Sequence, residues 1–358
     1  MKKVHNYSAG PCILPQEVIN GASDAILNFN NLELSLIEVS HRGKDFVDVM
    51  DKAVNLVKDV LNVPEGYKVL FLQGGASLGF LTTAFNMMRE NKKGGYIITG
   101  AWAKKAAKEA DFMGKKVVLA SSEDKNFSYV PKNYDIPSDI DYLHITSNNT
   151  IFGTQIKEYP NTNIPLVCDM SSDIFSKKID VSKFDIIYAG AQKNMGPAGT
   201  TLFIVKDEVL GNSSVAIPTM LDLKTHADKD SMFNTPPVFA VYTSMLTLQW
   251  LKNNGGLEWI ESINNQKADL IYSEIDRNSL FEGTANKEDR SNMNATFTLL
   301  DETCKERFDK MLEDANISGL KGHRSVGGYR ASMYNALPIE SVEVLVDVMK
   351  NLENKCKN

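Results

Sequence analysis

The stretch DIIYAGAQKNMGPAGTTLFIV, residues 185–205, determines how the rest of the sequence is interpreted. It begins apolar, becomes polar at Gln192–Asn194, turns through Gly-Pro-Ala-Gly and becomes apolar again. Two short apolar runs around a turn rich in glycine and proline are typical of neighbouring β-strands. Lys193 therefore follows the carboxyl end of a predicted strand, and the function of a lysine at this position has to be explained.

Short apolar runs of the same kind recur along the first two thirds of the chain, separated by helix-like stretches. They are KVLFL (68–72), GYIIT (95–99), KKVVLA (115–120), DYLHIT (141–146), IPLVCD (164–169), FDIIYAG (184–190) and GTTLFIV (199–205). This alternation predicts an α/β fold with a mostly parallel sheet and flanking helices. Helical periodicity follows from 237 to 277, and mixed elements follow it. We predict a large domain over 16–255 and a smaller α+β domain formed by 1–15 and 256–358.

Composition excludes several classes of protein. A chain of 358 residues that is 43% hydrophobic can bury a sizeable core. The net charge of -6 offers no broad basic surface for nucleic acid, and no apolar run approaches the ~20 residues of a membrane span. The four cysteines are far apart without Cys-x-x-Cys spacing, which argues against a zinc site or a disulfide framework. We expect a cytoplasmic protein without a metal.

Lys193 and Asp169 each close an apolar run, so both should lie at the carboxyl edge of the sheet, where α/β proteins bind ligands. Either residue alone is more simply a solvated lysine or a helix cap. Together they suit pyridoxal phosphate: an amine can bond the cofactor aldehyde, and a carboxylate can pair with its pyridine nitrogen.

Two further segments provide the other parts of such a site. QGGAS, residues 73–77, lies between a predicted strand and helix, where backbone amides could bind one phosphate, although a plain turn explains it equally well. Neither G-x-x-x-x-G-K-[ST] nor G-x-G-x-x-G is present, so a nucleotide site lacks its usual signature. Trp102 also follows a strand-like run and could stack on a flat ring, although core packing is the simpler interpretation.

With these residues in view, the chain resembles the phosphoserine aminotransferase family of class V, fold type I enzymes that use pyridoxal phosphate. The resemblance extends nearly end to end. Its specific stretches are YSAGPCILP (7–15), EVSHRGKDF (38–46), QGGAS (73–77), NNTIFGTQ (148–155), CDMSS (168–172), AGAQKNMGPAG (189–199), NTPP (234–237) and GHRSVGGYRASMYNA (322–336).

The resemblance implies a role for each matching residue. Lys193 would form the Schiff base with the cofactor, Asp169 would pair with the pyridine nitrogen, and Trp102 would stack on the ring. Thr150 would bind the phenolic oxygen. The phosphate would be held by Ala76, Ser77 and Gln192, and by Asn234 and Thr235 of a neighbouring subunit, so that a homodimer is expected.

The positions of the arginines indicate which residues bind the substrate. Only seven arginines occur among 39 basic residues, and three of them lie in the matching stretches. Rigid bidentate recognition of carboxylate or phosphate requires arginine rather than lysine. The resemblance implies that the dipeptides His41-Arg42 and His323-Arg324 receive the distal anion of the substrate and that Arg330 holds its α-carboxylate.

The implied reaction transfers the amino group of L-glutamate to 3-phosphohydroxypyruvate, which gives O-phospho-L-serine and 2-oxoglutarate by ping-pong kinetics. A side activity on 4-phosphohydroxy-L-threonine, in vitamin B6 synthesis, is compatible with the same residues. Alternatives are a class V aminotransferase for glyoxylate or pyruvate, a cysteine desulfurase and a non-catalytic scaffold. A desulfurase is disfavoured because Cys304 and Cys356 lie in helix-like segments and Cys12 follows a Gly-Pro turn.

Overall fold

The computed structural model describes residues 3–324 and 326–356; the outermost ends of the predicted smaller domain, 1–2 and 357–358, and residue 325 lie outside this part. The helices are α1 (Gln16–Leu27), α2 (Lys44–Leu61), α3 (Gly75–Met87), α4 (Ala101–Glu109), α5 (Leu223–Ala227), α6 (Val238–Asn253), α7 (Gly256–Arg277), α8 (Lys305–Asp314) and α9 (Ile339–Cys356). The strands are β1 (His5–Asn6), β2 (Tyr67–Gln73), β3 (Lys93–Ile98), β4 (Lys115–Ser121), β5 (Tyr142–Thr146), β6 (Leu166–Asp169), β7 (Ile186–Gly190), β8 (Thr200–Lys206), β9 (Phe281–Gly283), β10 (Asn294–Leu299), β11 (Ile317–Ser318) and β12 (Tyr329–Ser332).

A seven-stranded sheet in the order β2-β8-β7-β6-β5-β3-β4 forms the centre of the molecule. The strands from β4 through β3, β5 and β6 to β7 run parallel, whereas β8 is antiparallel to both β7 and β2. Each apolar run identified in the sequence is one of these strands. The predicted α/β class with a mostly parallel sheet is confirmed.

Helices cover both faces of this sheet, because successive strand residues point to opposite sides. Ile187 belongs to a cluster packed with α2 and α6, whereas its neighbours Ile186 and Tyr188 belong to a cluster packed with α3 and α4. Burial on both faces explains why these strands read as continuous apolar runs. In the described part of the chain, no helix combines the length and apolar character needed to cross a membrane.

A separate apolar cluster forms in the C-terminal third of the chain. It lies between α7, α8, α9 and the antiparallel sheet β12-β10-β9. The amino terminus joins this region: β1 pairs with β11 in parallel, and the fully buried Tyr7 belongs to the same cluster. This arrangement is compatible with the predicted grouping of 1–15 with 256–358, which stays a prediction.

The expectation of no disulfide was wrong for one pair of cysteines. Cys304 and Cys356 are bonded, with Cα atoms 6.6 Å apart, and the bond connects the beginning of α8 to the end of α9. The two residues are 52 positions apart in sequence, and only the packing of α8 against α9 brings them together. Cys12 and Cys168 are free thiols.

We expect the substitution Phe297→Ala to lower the free energy of unfolding by about 3–5 kcal/mol, because it leaves a cavity in the C-terminal cluster. Phe297 is 0% exposed, and its ring contacts those of Phe281 and Tyr329. Urea denaturation would measure the change. Phe112→Ala is the matched control, since Phe112 is 72% exposed and should cost less than about 0.5 kcal/mol. Equal losses in the two variants would contradict the assignment of Phe297 to a packed core.

Candidate active site

The sheet brings the segments that carry Lys193 and Asp169 to the same edge. β6 ends at Asp169, and β7 ends at Gly190, three residues before Lys193 in the sequence. The two strands are adjacent and parallel, with Asp169 paired to Tyr188. Their carboxyl ends therefore lie side by side, at the position where ligands bind in open α/β sheets.

Lys193 contacts two of the other residues that the sequence singled out. Its Nζ donates a hydrogen bond to Oγ1 of Thr150 at 2.7 Å and lies 5.8 Å from the centroid of the Trp102 ring. Trp102 is the second residue of α4, the helix that follows β3, and Thr150 lies in the turn after β5. Side chains that follow two parallel strands, β3 and β5, thus lie beside the amine.

The Lys193 amine lies in a desolvated environment of mixed charge. Its pKa is lowered to about 8, because burial and the nearby Arg330 disfavour the charged amine more than the Asp169 carboxylate favours it. Asp169 is 4% exposed, and burial raises its pKa against the opposing influence of the Ser171 N–H and Lys193. A lysine with such a lowered pKa is partly neutral near physiological pH, so it can act as a nucleophile and as a base.

An anion cradle lies beside this pair, at the start of α3. Gly74 has a φ of +110° and Gly75 a φ of +67°, a backbone conformation that favours glycine, and they form the turn between β2 and α3. The first-turn amides of a helix have no intrahelical acceptor and bind anions readily. Gly190 lies close by: a Cβ atom there would be 3.2 Å from the Ala76 nitrogen and 2.9 Å from Oε1 of Gln192. The predicted phosphate residues Ala76 and Gln192 therefore converge, and Ser77 is the next residue of the same turn.

Cationic side chains from the C-terminal region border the site. Arg330, on β12, lies near the carbonyl of Thr150 at 3.4 Å, and its Nε is buried without a partner among the described residues. Burial lowers the pKa of His323, and Arg330, Arg324 and Lys105 lower it further. This concentration of positive charge favours an anionic ligand.

Among the described residues, four predicted site residues form no hydrogen bond or ion pair with Lys193. Among the described residues, no hydrogen bond or ion pair connects His41 or Arg42 with Lys193, Trp102 or Arg330. Arg42 is exposed, and Nε2 of His41 is buried without a described partner.

The pair Asn234 and Thr235 lies near β2, where Nε2 of Gln73 donates to the Thr235 carbonyl. The role of Asn234 and Thr235 across a subunit interface stays a prediction, as does the role of His41 and Arg42 in binding the distal anion of the substrate.

The amino-terminal segment contacts the lysine in a way that the sequence interpretation missed. A Cβ atom on Gly10 would lie 3.0 Å from Cγ of Lys193, and the Cys12 thiol donates to the Lys193 carbonyl. The only signal for this contact was the stretch YSAGPCILP, which carries no chemistry of its own. Gly10 thus leaves room for the lysine side chain.

The residues present fit pyridoxal phosphate. The indole Nε1 of Trp102 and Nε of Arg330 are buried without described partners, beside a lysine, a carboxylate and a helix terminus open to a phosphate. A flat heteroaromatic ring with one phosphate matches this set of donors. In the described part of the chain, no group of three or more His, Cys, Asp or Glu side chains could hold a metal ion.

Comparison with known proteins identifies the class to which this fold and site belong. The family model for class-V aminotransferases matches residues 4–345. The chain therefore belongs to the class-V aminotransferase family. It is an enzyme that transfers amino groups and acts on small molecules.

Three of the similar proteins carry the same name. The phosphoserine aminotransferase of Flavobacterium psychrophilum is 65% identical over 99% of this chain and 100% of its own length. The crystallised phosphoserine aminotransferase of Bacillus circulans subsp. alkalophilus is 42% identical, with a TM-score of 0.96 over 99% of this chain and 100% of its own. A structure of the Trichomonas vaginalis phosphoserine aminotransferase with PLP bound is 34% identical, with a TM-score of 0.92 over 97% of this chain and 100% of its own. The resemblance found in the sequence is confirmed.

We expect Asp169→Asn to lower the pKa of Lys193 below its value of about 8, because the carboxylate is the main influence that keeps the amine charged. The rate at which trinitrobenzenesulfonate modifies Lys193 in cofactor-free protein, followed by mass spectrometry across pH, would measure this pKa. Asp228→Asn is the control, since Asp228 is exposed and paired with Lys224. A midpoint that is unchanged or raised in Asp169→Asn would contradict the electrostatic coupling of Asp169 with Lys193.

Proposed function

We propose that this enzyme is a phosphoserine aminotransferase that uses pyridoxal 5'-phosphate. It would transfer the amino group of L-glutamate to 3-phosphohydroxypyruvate, with O-phospho-L-serine and 2-oxoglutarate as products, as a step of serine biosynthesis. One observation carries the proposal: the Lys193 amine lies close to Thr150, Trp102 and Asp169. The cationic side chains of Arg330 and His323 border the same site. The names of the relatives support the choice of substrate.

The cofactor would be held by residues that the structure brings to one sheet edge. Lys193 would bond its aldehyde carbon, Asp169 would pair with its pyridine nitrogen, and Trp102 would cover its ring. The first turn of α3, at Ala76 and Ser77, together with Gln192, would bind the phosphate. When bound, the cofactor supplies an electron-withdrawing ring that stabilises negative charge at the substrate Cα.

Lys193 would also be the general base and acid of the reaction. Its amine would accept the proton from the substrate Cα and would return it at the C4′ carbon of the cofactor. A base works best when its pKa lies near the working pH, and burial lowers the pKa of Lys193 to about 8. Asp169 would keep the pyridine nitrogen protonated, since a buried carboxylate without a full ion pair favours a cationic partner.

Substrate recognition would use arginine at both ends of the substrate. Arg330 would hold the α-carboxylate through its fork of N–H donors. His323 and Arg324, with His41 and Arg42, would receive the distal anion, which is a phosphate in one half-reaction and a carboxylate in the other. We also propose a homodimer whose active sites contain residues from both subunits, with Asn234 and Thr235 completing the phosphate site of the neighbouring subunit.

The same recognition would accept 4-phosphohydroxy-L-threonine, which carries the same two kinds of anion on a longer carbon chain. We also propose a cytoplasmic location, which the two free thiols of Cys12 and Cys168 favour and the disulfide between Cys304 and Cys356 disfavours.

We expect the purified protein to develop a visible absorbance when pyridoxal phosphate is added and to lose it when glutamate follows, because glutamate donates its amino group to the cofactor. Lys193→Ala should show neither change and should lose nearly all turnover, since the anchor and the base are the same side chain. Absorption spectra and coupled assays would measure both effects. Lys52→Ala is the control, since Lys52 is exposed on α2. Wild-type turnover in Lys193→Ala would contradict the proposal, and a wild-type protein that takes up no cofactor would favour a scaffold.

We expect Arg324→Lys and Arg42→Lys to weaken the apparent binding of 3-phosphohydroxypyruvate by roughly 1–3 kcal/mol, because each loses a bidentate bond to phosphate. Steady-state kinetics on 3-phosphohydroxypyruvate, glyoxylate and pyruvate would measure the change. Wild-type enzyme should prefer the phosphorylated substrate, and the two variants should lose that preference. Arg307→Lys on α8 is the control, since Arg307 is exposed and bonds the Lys355 carbonyl. A wild-type preference for glyoxylate or pyruvate would overturn the substrate assignment.

A further inference from the structure

The loop that follows Asp169 is held by an arrangement that the proposed chemistry does not use. Three consecutive backbone carbonyls, those of residues 174–176, each accept a hydrogen bond from the side-chain amide of a different asparagine. Asn194 donates to Ile174 at 2.6 Å, Asn335 to Phe175 at 2.8 Å and Asn264 to Ser176 at 3.1 Å.

The three asparagines come from three distant parts of the chain. Asn194 directly follows Lys193, Asn264 lies on α7, and Asn335 lies three residues beyond β12, the strand of Arg330. All three are at least 94% buried. The loop is thus attached at once to the lysine segment and to two elements of the C-terminal region.

The asparagines are also bonded to one another. The backbone N–H of Asn335 donates to Oδ1 of Asn194 at 2.8 Å, and the amide of Asn264 donates to Oδ1 of Asn335 at 2.9 Å. A movement of the segment that carries Arg330 is therefore transmitted to the residue beside Lys193 through side-chain amides, which bond in a defined geometry.

The loop needs such support because its backbone is strained. Phe175 has a φ of +61°, which is rare for a residue with a bulky side chain, and it is 2% exposed. Strained backbone persists only where the surroundings determine it from several sides, and it is enriched at functional sites. The three amide bonds provide that constraint five to seven residues after Asp169.

Lys267 fixes the far end of the network. It lies one helical turn after Asn264 on α7, so both side chains point to the same face. Its Nζ is fully buried and donates to the carbonyls of Met333, Tyr334 and Leu337 at 3.0, 2.9 and 3.2 Å. Burial lowers the pKa of Lys267 to about 7. The segment 333–337 is therefore clamped to α7 on both sides of Asn335.

We propose that Asn194, Asn264 and Asn335 are positioning residues that set the Asp169 loop against Lys193 and couple both to the strand that carries Arg330. Ligand held at Arg330 would steady the amine and the carboxylate through Asn335, and loss of one amide would loosen all three segments. This inference rests on the proposed function for the roles of Lys193, Asp169 and Arg330, whereas the physical coupling does not depend on it.

Hydrogen exchange in cofactor-free protein tests the coupling, with the variants Asn335→Ala and Asn194→Ala. Each substitution should speed exchange in the loop 170–176, and Asn194→Ala should also speed it at 333–337, because the Asn335 N–H loses its acceptor. Asn265→Ala is the matched control, since Asn265 is the exposed neighbour of Asn264 on α7. Asn335→Asp and Asn194→Asp, which keep the size of the side chain, take the place of any alanine variant that does not fold.

The visible band of the protein loaded with pyridoxal phosphate tests the consequence for Lys193. In Asn335→Ala the pH midpoint of the band should shift away from that of wild type, and kcat should fall roughly 10- to 100-fold with a smaller change in KM. Asn265→Ala should match wild type. A variant that melts earlier yet keeps the wild-type midpoint, kcat and loop exchange would overturn the inference. If wild-type protein shows no band, the proposed function fails and the role in catalysis with it, while the exchange results decide the coupling separately.

Discussion

An amine and a carboxylate removed from water beside each other form the constraint on which the rest of the structure depends. Burial penalises the charged form of each group, lowering the pKa of Lys193 to about 8 and raising that of Asp169, and each partly restores the charge of the other. A lone buried charge is costly, so each residue makes the charged form of the other less unfavourable. The parallel pairing of β6 with β7 makes the arrangement possible, because it directs both chain segments to one edge of the sheet.

The segments around this pair come from both ends of the chain. The Gly10 backbone packs against the Lys193 side chain, the Cys12 thiol bonds the Lys193 carbonyl, and Arg330 on β12 approaches the Thr150 carbonyl. These contacts enclose the amine and add positive charge where an anion would bind. The sheet thus provides the pair, and the C-terminal region provides the surroundings that make the pair usable. The three asparagines connect the two regions at the point where the chemistry would occur.

Much of the fold and of the candidate site could be predicted from the sequence, because both are signalled by short patterns of neighbouring residues. A parallel strand buried on both faces reads as a short apolar run, so all seven strands of the central sheet were recognisable. A residue at the end of such a run, or just after it, lies at the ligand-binding edge of the sheet. Asp169, Lys193 and Trp102 were found in this way. The asparagine network could not be found in this way, because Asn264 and Asn335 lie in a helix and a loop with no pattern that marks them. The disulfide between Cys304 and Cys356 was missed for the same reason.

By itself, the sequence determined which segments become strands and helices, which charged residues stand at strand ends, and to which family of enzymes the chain belongs. These properties depend on residue type and spacing along the chain, which the sequence contains in full. The tertiary structure alone decided that the Lys193 amine bonds Thr150, that Arg330 reaches the same site, and that residues 174–176 are held by three separate asparagines. Such contacts join positions up to 180 residues apart, and their distances depend on how the helices pack against the sheet.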